Sequence, residues 1–110
     1  MAGIANFASR NAAQVADVNI SSSGDNTIIA ASAGNTIRIV KLVLAAQSPV
    51  AITLKDGSTA VFGPATLTSV ALDNDNCPLI LTSGNAFVIN LGAAVQVGGY
   101  VMYIQSPVGI

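Results

Sequence analysis

From residue 27 to residue 105 the chain alternates short apolar runs with clusters of turn residues. The runs are 27–31, 36–46, 50–55, 58–62, 66–72, 78–82, 86–91 and 94–105, all rich in Val, Ile and Thr. Gly, Asn, Ser, Asp and Pro gather between them at 21–26, 32–35, 55–58, 62–65, 73–78, 82–85 and 91–94. Short β-branched runs with turn signals at this spacing predict an all-β domain, a sandwich or barrel of antiparallel strands. The clearest unit is 50–62, where Asp56-Gly57 separates two runs. An Asp-Gly pair supplies the positive φ angles of a type I′ hairpin. Asn35 after Gly34 and Asn85 after Gly84 predict further tight turns. Pro64 and Pro78 suit strand edges or starts, and Gly98-Gly99 predicts a bulge or a close backbone approach.

Alternation fails in two places. Over 37–44, strict period two puts Ile37, Ile39, Lys41 and Val43 on one face and Arg38, Val40, Leu42 and Leu44 on the other. Both faces are then mostly apolar, as are both faces of 100–104. A sheet wet on one side alternates cleanly, and a two-layer sandwich buries one face of each sheet. The expectation is that a second subunit covers part of the outer face. Arg38 and Lys41 within this strand are read as edge protection, since charges on a strand discourage stray pairing. The sharper alternative is an intersubunit ion pair with Asp17 or Asp25.

Composition sharpens the oligomer reading. The 110 residues are 52% hydrophobic and 8% charged, with formal net charge −1, against about 25% charged in ordinary globular chains. A small domain this poor in charge is expected to associate. Arg10, Arg38, Lys41 and Lys55 are its basic side chains, too few and too scattered for a phosphate-binding footprint, so nucleic acid is not an expected partner. Nor is a membrane. A spanning helix needs about 20 consecutive apolar residues, and Thr82, Ser83, Gly84, Asn85, Asn90, Gly92, Gln96 and Gly98-Gly99 interrupt the apolar closing segment. The opening residues lack the positive and apolar regions of a signal peptide. A cytoplasmic origin is expected.

Catalytic chemistry is poorly provided for. The chain has no His, Glu or Trp and one Cys. Ser–His and Cys–His pairs are therefore impossible, and zinc lacks its usual ligands. Cys77 reads as a small buried hydrophobe. Residues 73–78 alternate carboxylates with amides, but Cys77 and Pro78 stand where a calcium loop continues with ligands and glycine, and no Glu closes it. A solvated turn is the reading there. The Ser-rich stretch 21–26 precedes no helix and is not read as a phosphate loop. The sequon at Asn19-Ile20-Ser21 carries no weight without a secretory signal. The expectation is no enzyme, no cofactor and no metal.

The domain division places a non-strand N-terminal arm at 1–13 and the β domain at 14–110. The arm is rich in Ala and Asn, with Ile4, Phe7 and Arg10 as its larger side chains. One helical turn would set Ile4 and Phe7 on one side. The arm packs either on its own subunit or on another. In the second case Ile4, Phe7 and Arg10 bind the partner, with Arg10 facing an acidic surface.

The stretches 20–44, 54–64 and 82–103 carry a recurring set of features. They are Ser-Gly-Asp-Asn-Thr, an Ala-Gly turn, Ile-Arg-Ile, a Gly-Ser-Thr hairpin, Gly-Pro, a Ser-Gly turn and a closing Val-Gly-Gly-Tyr-Val-Met-Tyr strand. Together they resemble a family of small all-β virion proteins of tailed bacteriophages. The resemblance implies a single jelly-roll-like antiparallel β-sandwich, made in the host cytoplasm and placed on the capsid surface of the virion. It implies a homotrimeric decoration or cement protein bound to the major capsid protein. The motifs are structural turns and carry over no functional residues. Other readings are a tail, baseplate or fibre module, or a carbohydrate-binding sandwich. The last should show exposed aromatics in its loops, and the loops here have none. A hydrolase ranks below all of these.

Overall fold

The structure, a computed structural model, describes residues 13–73 and 79–107. Seven strands account for its regular structure: β1 (Gln14–Ile20), β2 (Gly24–Ile29), β3 (Asn35–Asp56), β4 (Thr59–Asp73), β5 (Leu79–Ile80), β6 (Phe87–Leu91) and β7 (Val97–Pro107). Every pairing is antiparallel, and no helix occurs among the described residues. The strands form one continuous sheet in the order β1-β7-β3-β6-β2, with β4 and β5 also paired to β3. That sheet curls into a half-barrel. The all-β antiparallel expectation is therefore met.

β3 explains the curl. It has 22 residues, which would reach about 70 Å if straight. The longest dimension of the molecule is 48 Å, so the strand must bend. The bend lies at 46–49. Pairing with β7 ends at Ala46↔Val97, and pairing with β6 begins only at Ile52↔Leu91. Hydrogen bonds from the Gln47 N–H to the Gln96 carbonyl (3.0 Å) and from the Gly92 N–H to the Ala51 carbonyl (2.9 Å) bridge the gap. Pro49 sits in this unpaired corner, where no ladder N–H is needed. The runs 36–46 and 50–55 are thus one strand. So are 58–62 and 66–72, joined through Gly63-Pro64 within β4. There the register slips between Ile52↔Ala65 and Leu54↔Phe62.

The core lies in the hollow of the curl. Val18, Ile29, Ile37, Ile39, Leu42, Leu44, Val50, Ile52, Leu54, Val70, Leu81, Phe87, Ile89, Leu91, Val97 and Val101 form one buried cluster. Val18 shows that 14–20, not read as a strand from sequence, belongs to the sheet. Ala16, Val18 and Ile20 alternate inward there while Val15, Asp17 and Asn19 point out.

The two-faced strand is corrected by a bulge. Ile39 pairs with Tyr103 and Lys41 with Met102, leaving Val40 as an extra residue on β3. An inserted residue shifts the alternation by one. Ile37, Ile39, Leu42 and Leu44 therefore all turn inward, and β3 is an ordinary one-sided strand. The edge-protection reading of Arg38 and Lys41 also falls. Their strand is central, with β7 on one side and β5 or β4 on the other.

Two glycines are required by geometry. At the β3–β4 hairpin Asp56 pairs with Thr59, so the central residues are Gly57 and Ser58. Gly57 has φ +63°, and among the described residues no non-glycine residue has positive φ. That places the glycine first, as in a type II′ turn, and not Asp56 first as in type I′. At Gly99 (φ +151°) a Cβ would collide with the Val43 carbonyl. The close approach expected at Gly98-Gly99 is real, and the register runs through it without a bulge.

Candidate functional site

The outward face of the β1-β7-β3 half is the most distinctive surface. Register defines its rows. Val15, Met102, Lys41 and Asp73 lie side by side, followed by Asp17, Tyr100, Val43 and Ala71. Beyond Met102 come Ile104, Arg38 and Ile80. Val15 is 62% exposed and Ile80 57%, and with Val61 they make up the exposed large hydrophobics among the described residues. Met102, Ile104, Tyr100 and Val43 are half-buried between them. Apolar surface thus remains outside the core. It is centred on β7, with Val43 as the contribution of β3. Arg38, Lys41, Asp17 and Asp73 lie within the same face, with Lys41 opposite Asp73 across the β3–β4 ladder. Such a mixed face suits protein contact, because apolar area gives adhesion and placed charges give orientation.

Two polar groups serve the fold. Asp25 on β2 accepts from Asn90 Nδ2 at 2.7 Å and from Lys55 Nζ at 3.1 Å. The Asn90 bond first, then Lys55, holds its carboxyl below the usual range. This pair lies within one chain, so the intersubunit role considered for Asp25 is not needed to satisfy its charge. Asp56 ends β3 and accepts three bonds: from the Thr82 N–H (2.9 Å), Thr82 Oγ1 (2.8 Å) and Asn85 Nδ2 (3.0 Å). Burial pushes this carboxyl up. The bonds from Thr82 and Asn85 together outweigh it, and the net displacement is downward. The Ser-rich turn is closed by its own chain. Asn26 Nδ2 donates to the Ser22 carbonyl at 2.9 Å and the Gly24 carbonyl at 3.1 Å. Asn35 and Asn85 close the two turns expected of them, their N–H groups bonding the Ser32 and Thr82 carbonyls at 3.0 Å each.

Among the described residues no group of three His, Cys, Asp or Glu could hold a metal ion. No described helix is long and apolar enough to cross a membrane. Ile4, Phe7 and Arg10 lie outside the described residues, as do Asp75, Cys77 and Pro78. The sequence reading missed the rows centred on β7. Their signal was present in Tyr100, Met102 and Ile104 at period two, but it was read as a shared property of both strand faces. Neither a protein-family model nor a curated protein matches this chain.

Proposed function

We propose that the chain is a structural virion protein of a tailed bacteriophage, a decoration or cement protein that adheres to the outer surface of the capsid. The observation that carries this reading is the outward face of the β1-β7-β3 half. Val15 and Ile80 stand exposed there beside half-buried Met102, Ile104, Tyr100 and Val43. Exposed apolar side chains set among a few charges are what an adhesive surface requires. The resemblance at 20–44, 54–64 and 82–103 supplies the virion context and the count of three chains.

The same proposal treats the curled sheet as a variant of a jelly-roll-like sandwich, its two halves acting as layers. The corner at 46–49 supports this, because strands that pass from one layer to another do so at bends. On this reading the protein works by contact alone, with no reaction, cofactor or metal. The major capsid protein is its partner, and Ile4, Phe7 and Arg10 add a tether. Ordering such an arm costs about 1–2 kcal/mol per residue, so one arm binds weakly and several on one oligomer bind well.

The test is sedimentation with capsids that lack the protein. Full-length protein should co-sediment. A Met102→Asp/Val15→Asp variant should remain in the supernatant while keeping its β spectrum, and removal of residues 1–13 should weaken binding. Full-length protein that never sediments with capsids, but does so with tails or fibres, would overturn the capsid assignment.

A further inference from the structure

We infer that β4 is a self-pairing edge, through which two copies of this chain join antiparallel about a two-fold axis between Thr68 and Ser69. β4 is paired to β3 along one margin. Among the described residues nothing pairs with its other margin. The strand is 15 residues long and carries no charged side chain before its final Asp73. Natural edges of this length are usually blunted by charge, proline or cover. Here Pro64 and Asp73 bracket an unguarded stretch, 65–72.

The inward row of that stretch is incompletely covered. Ala65, Leu67 and Leu72 are only half-buried, although Leu67 and Leu72 pack on the core, while Val70 is buried. An added strand would complete the cover.

The second copy follows from the pattern. Burial places Ala65 and Leu67 inward with Thr66 outward, then Val70 and Leu72 inward with Ala71 outward. Alternation breaks once, at the exposed pair Thr68-Ser69, where β4 rounds the corner between Leu67↔Val50 and Ser69↔Ala45. The stretch is therefore a palindrome of inward and outward positions about that step. Laid against itself antiparallel, it sets Leu67 opposite Val70 of the other copy, Thr66 opposite Ala71 and Ala65 opposite Leu72. Opposite residues in an antiparallel pair share a face, so inward meets inward and outward meets outward throughout. A regular ladder puts its two-fold on a residue pair. The broken alternation is what lets the axis fall between two residues. Asp73 meets Pro64 of the other copy, so no like charges face each other. A two-fold contact must be self-complementary in this way.

This contact does not depend on the virion reading. Combined with a three-fold arrangement it gives six chains, and alone it gives two. The experiment is sedimentation equilibrium over a concentration series up to the solubility limit. Wild type should contain an even number of chains. Thr68→Lys/Ser69→Lys sets lysines opposite lysines at the axis. It should weaken the pairing roughly 10-fold or more and halve the mass, with the melting temperature of the dissociated form retained. Thr68→Lys/Ser69→Asp brings opposite charges together across the axis and should preserve the wild-type mass. The inference is overturned by an odd number of chains or a monomer for wild type at all concentrations. It is equally overturned if the two double variants behave alike.

Discussion

The β2 and β4 margins of the sheet solve the edge problem differently. β2 is six residues long and fastened. Asp25 is engaged by Asn90 and Lys55, and Asn26 ties the preceding turn to the strand. Beneath it Phe87, Ile89 and Leu91 are fully buried. β4 is more than twice as long, uncharged until Asp73, and its inward row is half-covered. Charge and burial close the first margin. The second is left as an adhesive edge, in a chain that has little charge to spend.

The strongest test removes the frame from which both margins hang. Gly99→Val drives a side chain into the Val43 carbonyl at the β7–β3 ladder and should cost about 4 kcal/mol or more, read as loss of the cooperative urea transition. Next, Ile89→Ala beneath the β2 margin, where Ile89 is 0% exposed, should cost about 2–5 kcal/mol. Asp56→Ala frees the Thr82 and Asn85 donors at the end of β3 that both margins share, and should cost roughly 2 kcal/mol. Leu67→Ala beneath the β4 margin should cost only about 1 kcal/mol in the monomer. Equal costs for Ile89→Ala and Leu67→Ala in denaturant titrations would erase the contrast between margins.

The smallest effect is one of pH. Asp25 and Asp56 both have lowered carboxyl values in the folded chain. Their contribution is present above the unfolded value of about 3.9 and lost as pH falls through the folded values. The urea midpoint should therefore fall on acidification below that point. Asp25→Asn/Asp56→Asn should flatten the slope, and an unchanged slope would show that other carboxylates set it.

Much of the fold was legible because β-branched runs and glycine turns are local signals. The turns at Gly34 and Gly84 and the close approach at Gly99 follow from single residues. What escaped were properties set by partners. Gln14–Ile20 alternates, but Asp17 and Asn19 dilute its apolar character. The runs 36–46 and 50–55 read as separate strands, as did 58–62 and 66–72, because a corner at Pro49 and a register slip at Pro64 show only once neighbouring strands are known. Val40 is an unremarkable residue in sequence, yet its place as the extra residue decides which way Lys41, Leu42 and Leu44 face. Arg38 and Lys41 were assigned to an edge because a lone strand does not announce its neighbours. The outward rows combine residues from five strands, and no window along the chain contains them.

The pairing of β1 with β7 has a consequence for how the chain reaches this state. The Tyr103 hydroxyl donates to Gln14 Oε1 across 89 positions of sequence, and among the described residues β7 is the strand that β1 pairs with. During synthesis the β3–β4 hairpin can close early, since its two strands adjoin at Gly57. β1 must wait until residues 97–103 have left the ribosome. Assembly of such distant pairs is slow, because loop entropy is lost before contacts repay it. Until then Val15 and Val18 are open to other chains, and crowded expression should favour aggregates that a lower expression level relieves.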